Sequence, residues 1–348
     1  MLPENKFLSR FFAALFLIGF ALLASRSATP SFAQETGEVL TTGGLKKVTL
    51  CLQWLPQAQF AGYYAARDTG IYSRYGLDVT IINGGPTSAS SKALEEKKAD
   101  FCTMFLSTAL TLKENGLPSV NIAQFSKKSS IVFVAKKSSN IKQISDLNGK
   151  KIGLWISDSR TIPNAFIQLH KINAAIIDIT SSPDIFLYDG IDAINAMRYH
   201  EYYDMISAGL EPSELTTFPL SDNGFDIMED GLYCLSDTFS RDPKLCSDFV
   251  KASIEGWKYA FENRENAVGI VLNYAKAAHQ RANLAGQRYM LDRMFENFCP
   301  DGGTEAIGRF AEEEYKKASA LLISAGIIKS APEYKDFIKN CGDIDVKK

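Results

Sequence analysis

The sequence predicts an α/β fold in two lobes, closed by a helical C-terminal tail. Short apolar runs alternate with helical patterns from Lys47 to about Leu235, the mark of strand–helix units that build a parallel sheet. After Asp242-Pro243 the pattern is helical only, with Phe249, Ile254, Trp257 and Phe261 at helical spacing. Even without its first 33 residues the chain exceeds the ~250–300 residues at which one core usually splits.

The chain opens with a segment that reads as an address. Lys6 and Arg10 precede an apolar run from Phe11 to Ala24, then small residues and Ser31-Phe32-Ala33. That order is a secretory signal with cleavage expected after Ala33. The run is shorter than the ~20 residues of a membrane helix, and no cysteine precedes Cys51 to carry a lipid. Residues 34–46, with Thr41-Thr42-Gly43-Gly44, read as a flexible leader. The expected location is the periplasm.

The first strand covers Val48 to Cys51 and runs into Leu52-Gln53-Trp54-Leu55-Pro56-Gln57-Ala58-Gln59-Phe60, then a helix with Tyr63 and Tyr64. A strand's C-terminal end followed by a helix start is where open α/β sheets bind ligands. This junction offers an indole, a phenyl ring and three glutamine amides without charge, a surface suited to a flat polar heterocycle. Trp54 and Phe60 also fit as ordinary core. Gly70 closes the helix. Strands follow over 76–82, 99–104, 120–125 and 131–136, with Thr87 or Ser88 and Ser107 or Thr108 placed to cap the intervening helices. The 131–136 strand is the expected passage to the second lobe.

Gly149 to Trp155 starts that lobe. Ser157-Asp158-Ser159-Arg160 lies at its strand end, and Pro163 opens a helix. Strands at 176–180, about 190–198 and 215–220 complete the lobe, and 223–235 returns the chain to the first. The expected division is 47–134 and 227–348 for the first lobe and 135–226 for the inserted second, the architecture of a clamshell that closes on a ligand.

Composition narrows the function. Lys+Arg 38 against Asp+Glu 40 leaves a net charge of −2, with no basic footprint for nucleic acid. Three scattered histidines and no C-x-x-C argue against a metal site. Six cysteines are too few for a disulfide scaffold. Cys234 with Cys246 and Cys299 with Cys341 are the candidate pairs, with buried thiols as the other reading.

The motifs Leu52-Gln53-Trp54-x-Pro56-x-x-Gln59-Phe60-Ala61-Gly62-Tyr63-Tyr64, Gly70-Ile71-Tyr72, Tyr75-Gly76-Leu77-Asp78-Val79 and Lys98-Ala99-Asp100-Phe101 occur in one order. Ile144-x-Asp146-Leu147-x-Gly149-Lys150-Lys151-Ile152-Gly153 and Asp230-Gly231-Leu232-Tyr233 extend it. This chain resembles the substrate-binding proteins of ABC importers grouped with thiamine-pyrimidine synthase and the sulfonate-, nitrate- and taurine-binding proteins. The likeness spans nearly all of the chain after the signal. It implies a type II periplasmic-binding-protein fold, a small-molecule ligand, no cofactor, a monomer, and partnership with an ABC permease and its ATPase. The membrane is met only through that permease. The tryptophan-proline-glutamine character places the chain nearer the pyrimidine-precursor branch than the sulfonate branch. A sulfonate, nitrate or flavin-like ligand, or a ligand-sensing role, is the alternative.

The same family contains fungal synthases that consume a histidine of their own chain and use pyridoxal phosphate and iron. Aligned through Asp100-Phe101 and Lys113-x-x-Gly116, their cofactor lysine and sacrificial histidine fall on Met104 and Thr108. Neither forms a Schiff base or supplies an imidazole. Their cysteine cluster falls near 226–230, which holds no cysteine. The chain is therefore expected not to be an enzyme.

Ligand-binding candidates sit at strand ends. The first lobe offers Gln53, Trp54, Gln57, Phe60, Gly85, Met104 and Ser107, the last also readable as a cap. The second offers Trp155, Ser159, Tyr199 and Glu201, with Asp226 on the return crossing. Glu201 fits the edge of an aminopyrimidine, or a helix first turn where the dipole favours a carboxylate. Arg160 reads as a loop charge or an anion clamp, His200 as structural or exposed, and Trp257 as core.

Overall fold

A computed structural model describes residues 44–156, 160–180 and 182–343. The expected secretory signal, its cleavage site and most of the leader lie outside the described residues. The described residues belong to one compact unit built on two five-stranded sheets.

The chain lays down β1 (Lys46–Leu52), β2 (Leu77–Asn83), β3 (Phe101–Phe105) and β4 (Ser119–Gln124). It crosses to the other sheet for β5 (Ile131–Lys136), β6 (Lys151–Trp155), β7 (Ala175–Ile179), β8 (Ala193–Met197) and β9 (Leu215–Pro219), and returns as β10 (Asp230–Leu235). The strand orders are β2-β1-β3-β10-β4 and β7-β6-β8-β5-β9. Inner strands carry continuous apolar runs because both faces are covered. Every residue of inner strands β8 and β10 is buried, as is every residue of edge strand β4, whereas the other edge strand, β2, begins with a buried–exposed alternation.

Neither sheet is purely parallel, as the sequence had suggested. Strand β10 runs antiparallel to β3 and β4, and β5 runs antiparallel to β8 and β9. The cause is the crossing itself. A chain arriving from the other lobe enters at the cleft end of the sheet, so its first strand runs opposite to those that leave there. Apolar runs report burial, not direction, so this pairing is invisible in the pattern.

All of β5 pairs within the second sheet, so the expected boundary between 134 and 135 falls inside a strand. The outward crossing is 125–130, and the return runs through 225–229 beside it. Hydrogen bonds tie the two: Ser129 N–H donates to Asp226 Oδ1 at 2.6 Å, and Ser129 Oγ to Glu229 Oε1 at 2.8 Å.

Asp242 caps the Pro243–Glu262 helix as expected, accepting from Leu245 N–H at 2.9 Å. Helices Ser90–Glu95 and Leu106–Glu114 begin with no side-chain cap. Ser107 and Thr108 already lie inside the first turn of theirs, past the position from which a cap acts. Helix Ala61–Asp68 packs tightly on Pro243–Glu262. A Cβ on Gly62 would sit 2.3 Å from the Trp257 ring, and one on Gly256 2.2 Å from the Gly62 carbonyl oxygen. Trp257 is fully buried there. All six cysteines are buried free thiols, so neither candidate disulfide is formed. Cys51 and Cys102 stand in register on neighbouring β1 and β3. No helix among the described residues is long and apolar enough to cross a membrane.

Candidate ligand cleft

The C-terminal ends of β1 and β3 in one lobe and of β6 and β8 in the other open onto a single cleft of about 1630 Å³. Gln53, Trp54, Gln57 and Gly85 line it from the first lobe, and Trp155, Tyr199 and Glu201 from the second. These seven were expected at the site. Lys276, His279 and Arg281, from the end of the Arg264–Ala277 helix and the loop after it, line its rim.

The loop after β1 is held from two sides, by β3 and by a tail helix. Gln53 N–H donates to Thr103 Oγ1 at 2.8 Å. The Leu284–Phe298 helix supplies Gln287 Oε1 to Ala58 N–H at 2.7 Å and Met290 Sδ to Gln59 N–H at 3.2 Å. The tail helix therefore positions the motif that the sequence placed at the centre of the site.

The glutamines converge on a carboxylate. Gln53 Nε2 and Gln59 Nε2 both donate to Asp230 Oδ1, at 2.7 and 2.9 Å, and Gln57 Nε2 donates to Gln59 Oε1 at 2.6 Å. Burial pushes the Asp230 carboxyl up to about 7, against the two amide hydrogen bonds that favour its charged form. Next door, burial also raises the Glu229 carboxyl well above its ordinary value, although Ser129 Oγ and Ser130 N–H donate to it.

The second lobe contributes a different wall. Trp155 is fixed at both ends by Asn195, its backbone N–H on Oδ1 at 3.1 Å and its indole N–H on the backbone carbonyl at 2.9 Å. Glu201 Oε2 accepts from Met197 N–H at 2.7 Å, and its Oε1 stands 3.5 Å from His200 Nδ1. Burial works to raise the Glu201 carboxyl, but His200 and that backbone hydrogen bond hold it below its ordinary value. Burial works to lower His200, yet Glu201 and then Asp204 leave it raised. His200 lines the cleft as one end of this ion pair, not as a detached surface histidine.

Four expected site residues lie elsewhere. Phe60 and Met104 are buried in the core, Met104 within β3. Ser107 is buried in its helix with Oγ lacking a hydrogen-bond partner. Asp226 is exposed and belongs to the crossing. Ser159 lies outside the described residues. Arg160 pairs with Asp178 at 2.6 Å instead of facing the cleft. Sequence reasoning missed Asp230 and Gln59, although both stood inside quoted motifs. A lone acidic residue heading an otherwise apolar strand was the available signal.

The family described as NMT1/THI5 like matches residues 57–267. The chain belongs to the NMT1/THI5-like family. It is 23% identical to the riboflavin-binding protein RibY of Chloroflexus aurantiacus over 80% of this chain and 82% of that protein. It is 27% identical to a putative thiamine biosynthesis protein of Haemophilus influenzae over 37% of each. The periplasmic aliphatic sulphonate binding protein SsuA from Escherichia coli superimposes with a TM-score of 0.65 at 13% identity, covering 87% of this chain and 95% of that one. This member of the NMT1/THI5-like family thus has the periplasmic-binding-protein fold, with two α/β lobes and C-terminal helices.

Proposed function

We propose that the protein is the extracytoplasmic substrate-binding component of an ABC importer. It captures a planar heterocycle between its lobes and passes it unchanged to a membrane permease. The observation that carries this reading is the uncharged amide-and-indole wall after β1, which shares one cleft with Trp155 and Glu201. Aromatic faces stack on a ring while amides and a carboxylate read its edge. The lobes, 47–130 with 227–348 and 131–226 between them, close by bending at the two clasped crossings. Catalysis is not part of the role, because Met104 and Thr108 stand where the synthases carry their cofactor lysine and consumed histidine.

The first ligand reading is a thiamine pyrimidine precursor of the hydroxymethyl- or aminomethyl-pyrimidine type. The tryptophan-proline-glutamine motif and the match to a putative thiamine biosynthesis protein support it. A flavin-like ring system is the second. It is favoured by the match to RibY and by a cleft of about 1630 Å³, larger than the ~300–1,000 Å³ common for small-molecule pockets. Arg160 is tied to Asp178, so an anionic ligand would have to be met by the rim cations Lys276 and Arg281 and not by the strand-end clamp.

A thermal-shift panel with hydroxymethyl- and aminomethyl-pyrimidines, thiamine, riboflavin, taurine and nitrate tests this. A ligand of the folded state at ~100 times its dissociation constant adds roughly 2.7 kcal/mol. Stabilisation by a pyrimidine or by riboflavin supports the proposal and chooses between its two ligands. Stabilisation by taurine or nitrate alone overturns it.

A further inference from the structure

Strand β10 begins Asp230-Gly231-Leu232 and is buried throughout. The backbone is closely packed at its second residue. A Cβ on Gly231 would lie 2.6 Å from the Tyr233 hydroxyl and 2.7 Å from Gln124 Oε1. The buried Asp230 carboxyl sets the orientation of both amides that donate to its Oδ1. Gln59 is set at both ends, its nitrogen on Asp230 and its oxygen on Gln57. Gln53 is set at one, its nitrogen on Asp230. Its carbonyl oxygen is buried with no hydrogen-bond partner among the described residues. A buried acceptor left this way carries a desolvation penalty, and Gln53 lines the cleft.

We infer that Asp230 is a specificity-determining residue that acts through Gln53 and Gln59. By holding both amide nitrogens it keeps the Gln53 carbonyl as an unfilled acceptor, so the cleft selects a ligand whose edge donates hydrogen bonds. A ring N–H or an exocyclic amine satisfies Gln53 Oε1. A ligand of the same shape with a blocked or acceptor-only edge leaves that oxygen unpaired, and an anionic edge meets the negative end of the amide dipole. Each amide nitrogen retains a second hydrogen, but the carbonyl is the atom of the array that lacks a partner. Asp230 is a positioning residue in this account, since its oxygen is occupied by the two amides. The inference rests on the heterocycle reading above and narrows it to ligands with a donor edge.

The test uses two matched pairs of probes in calorimetric titrations. One pair is riboflavin and its N3-methyl derivative. The other is 4-amino-5-hydroxymethyl-2-methylpyrimidine and its 4-dimethylamino derivative. For whichever parent binds, wild-type protein is expected to lose about tenfold or more in affinity for the blocked partner. Asp230→Asn keeps an acceptor oxygen and is expected to keep that discrimination. Asp230→Ala frees the amides to turn and is expected to reduce it to under about threefold. Gln53→Met, which removes the carbonyl and leaves Asp230 in place, is expected to lose it as well, so a poorly folding Asp230→Ala does not end the test. Equal binding of parent and blocked probe by the wild type overturns this inference alone, as does full discrimination in a folded Gln53→Met. Failure of both parents to bind overturns it together with the proposed function.

Discussion

Ser130 donates its backbone N–H to both carboxylate oxygens of Glu229, at 2.9 and 3.0 Å. One residue lies on the outward crossing and the other on the return, so this contact holds the two connections between the lobes side by side. Asn297 adds to the clasp from the tail, donating to Lys128 O at 2.9 Å and Ser130 Oγ at 2.8 Å.

Glu229→Ala leaves the Ser129 hydroxyl and the Ser130 N–H without their acceptor in a buried place. The expected cost is ~1–3 kcal/mol of stability, read from the midpoint of urea unfolding. Glu229→Gln retains one acceptor oxygen and is expected to lose less. An unchanged midpoint for the alanine variant would show that the clasp contributes nothing.

The Asp230 carboxyl is raised from 3.8 to about 7 by burial. Its native state therefore holds a proton that the unfolded chain has already released between those values. The associated stability is full below about pH 4 and is lost as pH rises through about 7. Relative to Asp230→Asn, the wild type is expected to lose up to about 4 kcal/mol across that window. Parallel pH curves for the two proteins would contradict this.

Gly62→Ala drives a methyl into Trp257, since the added Cβ would lie 2.3 Å from the indole Cγ and Cδ2. Both helices are committed to the core, so the expected cost is ~1–3 kcal/mol or more. A melting temperature equal to that of wild type would mean the helices separate freely.

Strands β1 to β9 are legible in the sequence as short, largely apolar runs ended by turn residues, whereas β10 reads only as part of the return at 223–235. The sequence also marked the loop after β1 and the two tryptophans of the cleft. What it could not carry was partnership across the chain. Phe60, Met104 and Ser107 sit near strand ends, as Trp54 and Trp155 do, yet the fold turns them into the core. The partner of Gln53 and Gln59 is more than 170 positions away in sequence. It becomes their neighbour only because the return strand slots between β3 and β4.

Trp54→Ala is expected to weaken ligand binding by ~1–3 kcal/mol through lost stacking, with a smaller effect on stability because the ring is only half-buried. Calorimetric titration reads both affinity and stoichiometry. Unchanged affinity would remove Trp54 from the site.

Intrinsic fluorescence reads whether the cleft stacks a planar heterocycle between its lobes. Of the chain's three tryptophans, Trp54 and Trp155 line the cleft and Trp257 is sealed in the core. Titration with riboflavin or a hydroxymethyl-pyrimidine is expected to quench emission saturably, with much of the change lost in Trp54→Ala and Trp155→Phe. Saturable binding of taurine or nitrate, with no quenching by either heterocycle, would show that the cleft takes an anion and not a planar ring.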